Sequence, residues 1–182
     1  MNSIISKLWR TFLLQHGKTA ALALAVGSWS CGGTDEPVNF NGTYTTTITN
    51  KANGCEFANW MVGNKTQNVE VVMATDATDA KSVVVTVQGF AGGFLELFVG
   101  SRIFISNTNG NEISGLLLGR ESTDAGCMQQ SRIRINGKLN GDALDGTLTY
   151  GFVVKNPETC GIKASCATQQ TIVGSRPTSI KM

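Results

Sequence analysis

Histidine is nearly missing from this chain of 182 residues: the single one is His16, and it falls in an N-terminal segment that reads as a secretion signal. The remainder therefore cannot assemble a Ser-His-Asp or Cys-His catalytic unit. Histidine-ligated metal chemistry is excluded in the same way. Charge is sparse as well, at 15% Asp, Glu, Lys and Arg. No basic block is present that could follow a phosphate backbone, so nucleic acid is not an expected partner. There is no C-x-x-C pair either, which argues against a structural zinc site. Finally, no apolar run is long enough to span a bilayer, which takes about 20 residues, because Gln15, His16 and Lys18 interrupt the longest candidate.

What the N-terminus does contain is ordered. Lys7, Arg10 and Lys18 are basic, and no acidic residue precedes Asp35. Ala20 to Val26 is a short apolar core, followed by the small residues Gly27, Ser28 and Ser30. A positive region, an apolar region and a small-residue end are the parts of a secretory signal, expected here over residues 1–30. Loss of Lys7, Arg10 and Lys18 leaves twelve basic residues against thirteen acidic ones. The whole-chain net charge of +2 thereby becomes −1. Residues 31–39 read as a polar tether, 40–177 as one domain and 178–182 as a tail.

The five cysteines are odd in number, so one thiol is left over in an exported chain. Assigning Cys31 to lipid leaves Cys55, Cys127, Cys160 and Cys166 for two disulfides in an oxidising compartment. The short spacing of Cys160 and Cys166 suggests that these two pair, which would leave Cys55 with Cys127.

From Thr43 onward the pattern is short strands between Gly and Asn turns. Tyr44, Thr46 and Ile48 share one face of the first. Val69–Met73, Ser82–Val87 and Arg102–Ser106 follow. Asn109-Gly110 is a tight hairpin signal before Glu112–Leu118. Ile133, Ile135 and Leu139 alternate with Arg132, Arg134 and Lys138 in the next strand, and Asn140-Gly141-Asp142 turns the chain. Leu148, Tyr150 and Phe152 share a face of Leu144–Val154, and a last strand runs from about Ala167 to Val173. Regular strands with turn signals between them indicate an all-β sandwich or barrel.

Phe94–Val99, almost wholly apolar and ending at Gly100, fits either a strand or a short helix with a left-handed glycine cap. A helix near residues 93–99 leaves eight alternating strands and gathers the four cysteines at one end. An extra strand would send Cys55 to the opposite end. Cysteines that pair must be neighbours, so the expected fold is an eight-stranded antiparallel up-and-down barrel with one short helix. Closure removes the sheet edges, and a barrel of this size is either filled by side chains or holds one small ligand.

Carboxylates are the remaining catalytic currency. Asp76 with Asp79, and Asp142 with Asp145, sit at hairpin ends, where aspartate caps its own turn; the turn role is preferred to a glycosidase pair. Asn41-Gly-Thr and Asn64-Lys-Thr match the glycosylation pattern, a short motif taken here as a chance match. Trp60 lies in the long 51–66 connection beside Cys55, Phe57 and Met61. That cluster reads first as packing for the loop and second as the lining of a binding mouth.

Three resemblances add to this reading. Gly27-Ser28-Trp29-Ser30-Cys31-Gly32 resembles the lipobox of bacterial lipoproteins, with Ser28 where leucine is usual; it implies a diacylglyceryl anchor on Cys31, with ordinary cleavage as the alternative. Gly32 after the cysteine implies outer-membrane sorting. Phe40-Asn-Gly42-Thr-Tyr44 resembles the Gly-x-Trp opening of the calycins, the lipocalin and fatty-acid-binding group, with tyrosine replacing tryptophan. In lipocalins an arginine after the last strand covers that aromatic, which implies the role for Arg176. Gly42-Thr-Tyr44, Gly146-Thr-Leu-Thr-Tyr150 and Cys160-x5-Cys166 leading to Gly174-Ser-Arg176-Pro177 together resemble small myxobacterial lipoproteins, which implies an envelope location and no particular activity.

The expectation is a lipid-anchored barrel of the cell envelope, held at the membrane by its N-terminal lipid. It would have no catalytic role, cofactor or metal, and would bind a small apolar molecule or an envelope partner. The candidate rim is Phe57, Trp60, Met61, Phe94 and Phe98 at the cysteine-bearing end. The alternative is an envelope protein with a filled core and no ligand. A cavity lined by Tyr44, Leu148, Tyr150 and Phe152 would separate the two.

Overall fold

The computed structural model describes residues 38–177. The expected signal and its Cys31, nearly all of the tether, and the tail lie outside the described residues.

Eight antiparallel strands follow one another around a closed barrel: β1 (Gly42–Asn53), β2 (Lys65–Thr75), β3 (Ser82–Val87), β4 (Ile103–Asn109), β5 (Glu112–Asp124), β6 (Cys127–Asn140), β7 (Ala143–Val154) and β8 (Thr168–Ser175). β8 returns to pair with β1, from Thr45 opposite Ser175 to Asn53 opposite Thr168. No edge is left between first and last strands, which removes the usual template for aggregation.

The strands are longer than the apolar alternation predicts. β5 and β6 run on past Leu118 through a polar stretch in which Glu121 faces Gln130 and Asp124 faces Cys127. Polar residues hide a strand from a hydrophobicity pattern, and here the ladder with the neighbour carries them.

Helix α1 (Gly89–Val99) joins β3 to β4. It is the helix expected near residues 93–99, but it starts four residues earlier, across Gly89-Phe90-Ala91 and a glycine pair. Gly100 caps it in the left-handed conformation, φ +80°, and donates its N–H to the Glu96 carbonyl at 2.7 Å. A second helix, not anticipated, is the single turn α2 (Pro157–Cys160), which runs into a 3₁₀ turn at Gly161–Ala164.

The up-and-down order makes two unlike ends. One carries the start of β1 and the short turns at 76–81, 110–111 and 141–142. The other carries the 54–64 loop, α1, α2 and both disulfides. At the first end the interior is packed solid with Phe40, Tyr44, Met73, Phe104, Leu139 and Leu144, all buried. Each such side chain contributes about 1.5–3 kcal/mol on burial. Arg176 closes this end, its Nε donating to Asp142 Oδ1 at 2.8 Å.

The disulfides are Cys55–Cys166 and Cys127–Cys160, not the expected Cys160–Cys166 and Cys55–Cys127. The reason is strand adjacency. Cys55 follows β1 and Cys166 precedes β8, and those strands are neighbours through closure. Cys127 opens β6 and Cys160 follows β7, again neighbours. Cys160 ends α2, and the 3₁₀ turn at Gly161–Ala164 separates it from Cys166, so sequence proximity does not become contact.

Candidate ligand-binding cleft

The cleft lies at the disulfide end, between the 54–64 loop and α1. The loop is fixed from its own residues upward. Asn53 clamps Phe57 twice: its Nδ2 donates to the Phe57 carbonyl at 3.0 Å, and its Oδ1 accepts the Phe57 N–H at 2.8 Å. Trp60 Nε1 donates to the Lys51 carbonyl at 3.0 Å. The Cys55 N–H reaches Thr168 Oγ1 at 2.9 Å, and the Cys55–Cys166 bond ties the same segment to the start of β8. These contacts order the loop without a ligand, which lowers the entropic cost of binding.

Opposite the loop, α1 is pressed down onto the barrel. Leu95 and Val99 are buried, and Gly92 lies so close to the end of β3 that a Cβ there would come within 2.1 Å of the Val87 carbonyl oxygen. This approach turns Phe94 and Phe98 toward the loop. Their rings are stacked, 6.3 Å apart and 7° from parallel. Phe57 meets Phe98 edge-on at 5.5 Å, and Tyr150 lies 5.9 Å from each of Trp60, Phe94 and Phe98. Such edge-to-face pairs favour a fixed arrangement beyond simple area burial.

Between these walls is a cleft of about 500 Å³, within the range for small-molecule sites, which is roughly 300–1,000 Å³. Its buried members are Ile48, Val87, Leu95, Leu148 and Tyr150; it reaches the surface at Ala58, Asn59 and Phe90, all exposed. Four of the five rim residues read from sequence line it: Phe57, Trp60, Phe94 and Phe98. Met61 does not. It is 64% exposed on the outer side of the loop, because the turn after Trp60 carries it away from the barrel. Tyr44 and Phe152 also stand apart from the cleft. Tyr44 belongs to the packed end, and Phe152 sits behind Phe57 and Phe98, with ring centroids 6.4 and 5.9 Å away. The interior is thus filled at one end and hollow at the other.

Sequence reasoning missed the polar side of the cleft. Tyr150 Oη donates to Gln170 Oε1 at 2.6 Å, and Gln170 Nε2 donates to Asn50 Oδ1 at 2.8 Å. Burial pushes the Tyr150 phenol above its usual range, keeping it protonated as the donor. A signal was there to be read: Asn50 continues the inward face of Tyr44, Thr46 and Ile48, and Gln170 shares the inward face of Thr168 and Ile172. A polar residue at the end of an inward-facing row marks where packed core gives way to cavity.

Asp76 and Asp79 bond within their own turn, whereas the Asp142 carboxylate accepts from Arg176 Nε. Asp76 accepts from the Thr78 N–H and hydroxyl at 2.8 and 2.6 Å, and Asp79 from the Lys81 N–H and Ser82 hydroxyl at 2.9 and 2.8 Å. These bonds hold both carboxyls below their usual range. A larger depression of about 720 Å³ lies across strands β4 to β8, around the facing pair Gly137 and Gly146. It is lined by Glu112, Lys138 and Asp145 and by no aromatic ring, the composition of a solvated surface.

Fold and site define a disulfide-bonded, eight-stranded antiparallel barrel, closed at one end by an arginine and open at the other through an aromatic-walled cleft. The chain belongs to the FNG domain family, whose model matches residues 3–93. The matched span takes in β1 to β3 and enters α1, and so includes the loop and part of the helix that wall the cleft. No curated protein and no solved structure matches the chain.

Proposed function

We propose that this is an exported, lipid-anchored barrel of the cell envelope that binds a small apolar molecule in the cleft at its disulfide end. The observation that carries the proposal is the hollow itself: a preformed, aromatic-walled cleft of about 500 Å³ in a barrel otherwise filled. The export reading draws support from the two disulfides, which use four of the five cysteines and leave Cys31 for the lipid the lipobox resemblance implies. The tether enters at Phe40 and Gly42, at the end of the barrel away from the cleft.

A protein partner at the same end is the second reading. It is favoured by four large apolar residues exposed on α1 and the 54–64 loop: Phe90 at 86%, Leu97 at 87%, Met61 at 64% and Val62 at 70%. The two readings part on occupancy. Nile red, an uncharged dye that brightens on leaving water, is expected to bind the full chain. Ala91→Trp, which places a bulky ring into the cleft from α1, is expected to abolish the signal. Dye that fails to bind, or that binds Ala91→Trp equally well, overturns the small-molecule reading and leaves the partner reading standing.

A further inference from the structure

The cleft is lined without a single charged side chain. Apart from the Trp60 indole N–H, which is taken by the Lys51 carbonyl, every side-chain polar group on it is an amide or a hydroxyl, from Asn50, Asn59, Asn64, Thr66, Tyr150 and Gln170. The hydrogen bonds among them run in one direction. Tyr150 donates to the Gln170 carbonyl oxygen, and the Gln170 amide donates to the Asn50 carbonyl oxygen. With its oxygen committed, the Asn50 side chain is left with its NH₂ group. The chain therefore ends on a neutral donor, and the complementary ligand atom is an acceptor.

Resting on the reading of this cleft as a binding site, we propose that its ligand is an uncharged, ring-bearing molecule with a carbonyl-type acceptor, and that the cleft discriminates against carboxylates, fatty acids included. The aromatic walls, presenting both faces and edges, suit a ring system better than a flexible chain. An ionised carboxylate would have to leave water for a site that offers neutral donors and no lysine or arginine to balance it. That transfer is costly for any unpaired ion. A ketone or ester gives up far less hydration and satisfies the same Asn50 donor.

The experiment is a displacement on the full chain. With Nile red bound, methyl naphthoate and naphthoate compete for the cleft; the two share a ring system and a carbonyl and differ in charge. Methyl naphthoate is expected to displace the dye at a concentration roughly tenfold or more below that required of naphthoate, the difference being the desolvation of the ion. In Asn50→Lys, which supplies a counter-charge at the end of the hydrogen-bonded chain, the preference is expected to shrink or reverse. Equal displacement by the two competitors in the wild-type chain overturns the inference while leaving the cleft as a binding site. A preference that persists undiminished in Asn50→Lys overturns its electrostatic basis. Failure of Nile red itself to bind removes the binding-site reading, and the inference with it.

Discussion

The guanidinium of Arg176 stands 5.5 Å from the centroid of the Tyr44 ring while its Nε donates to Asp142 Oδ1 at 2.8 Å. The same side chain donates to the Asn41 carbonyl, and the Tyr44 hydroxyl donates to the Phe40 carbonyl at 2.9 Å. One arginine thus joins the entry of β1, the β6–β7 turn and the exit of β8. The covering of the first-strand aromatic by Arg176 was implied by the calycin-like opening Gly42-Thr-Tyr44. Here the covered ring is a tyrosine, whose face attracts a cation as a tryptophan's does.

Arg176→Met should therefore lower stability by about 2–3 kcal/mol, because it removes the ion pair and the ring contact and leaves Asp142 half-buried without its partner. Asp142→Asn should cost less, as an amide oxygen still accepts from Nε. Denaturant midpoints would measure both. Nile red affinity should be unchanged in each, since the cleft is at the other end; a loss of stability below about 0.5 kcal/mol for Arg176→Met would show the closure to be ornamental, at the level of an exposed pair.

Tyr44 and Tyr150 are the chain's two tyrosines, and both are buried. Burial raises each phenol above its ordinary value of 10.0; for Tyr44 the nearby Arg176 opposes the rise and Asp142 adds to it. The folded state thus holds these protons more tightly than the unfolded chain. The stability this contributes is fully present below about pH 10, the unfolded value, and is lost as pH rises past it. The expected result is that tyrosinate absorbance does not develop gradually. It should appear together with the loss of β-sheet circular dichroism in one alkaline transition. A tyrosinate signal that titrates near the ordinary value with the fold intact would contradict the burial of these two rings.

Each disulfide joins neighbouring strands at the cleft end, but they close loops of different length. Cys55 and Cys166 are 111 residues apart, and Cys127 and Cys160 are 33 apart. In the chain-entropy account the first contributes roughly 5 kcal/mol and the second roughly 4. Replacing Cys55 and Cys166 by serine should also free the loop that carries Phe57 and Trp60, and so weaken Nile red binding severalfold. The Cys127/Cys160 pair of substitutions should destabilise without that loss. Peptide mapping without reduction tests the connectivity directly; a Cys160–Cys166 peptide would refute it.

That connectivity shows where the sequence was legible and where it was misread. Alternation in Ile133-Arg-Ile135 and in Leu148-Thr-Tyr150 announces half-buried strands, Asn109-Gly110 announces a hairpin, and the parity of strands gathers the four cysteines at one end. Closure follows from eight strands needing no edge. Yet closure also makes β1 the neighbour of β8, which already couples Cys55 to Cys166; the spacing of Cys160 and Cys166 distracted from it. Met61 was misplaced for a different reason: an irregular loop has no period from which to read the direction of a side chain. Asn50 and Gln170 went unread because polar residues in a strand suggest solvent. Only their phase with Ile48 and Ile172 shows that they point inward.

Two adjacent glycines in α1 supply a paired test of how the helix is seated. At Gly92 a Cβ would lie 2.1 Å from the Val87 carbonyl oxygen and 2.9 Å from its carbon, a clash with backbone that no rotamer change relieves. At Gly93 a Cβ would meet nothing within 4 Å. Helix propensity favours alanine over glycine at both by up to about 1 kcal/mol, so any difference between them is the cost of contact. Gly93→Ala is expected to stabilise by about 0.5–1 kcal/mol. Gly92→Ala is expected to destabilise by about 2–3 kcal/mol, near the upper end for overpacking because the obstacle is main chain. Lifting α1 off the end of β3 would also withdraw Leu95 from the base of the cleft and spread Phe94 and Phe98 from Tyr150, so Gly92→Ala should bind Nile red more weakly and Gly93→Ala should bind it as the wild type does. Denaturant midpoints and dye titrations on the two variants read both effects. If the two substitutions shift stability by the same amount and in the same direction, α1 is not packed against Val87 in this way, and the helical wall of the cleft must be placed differently.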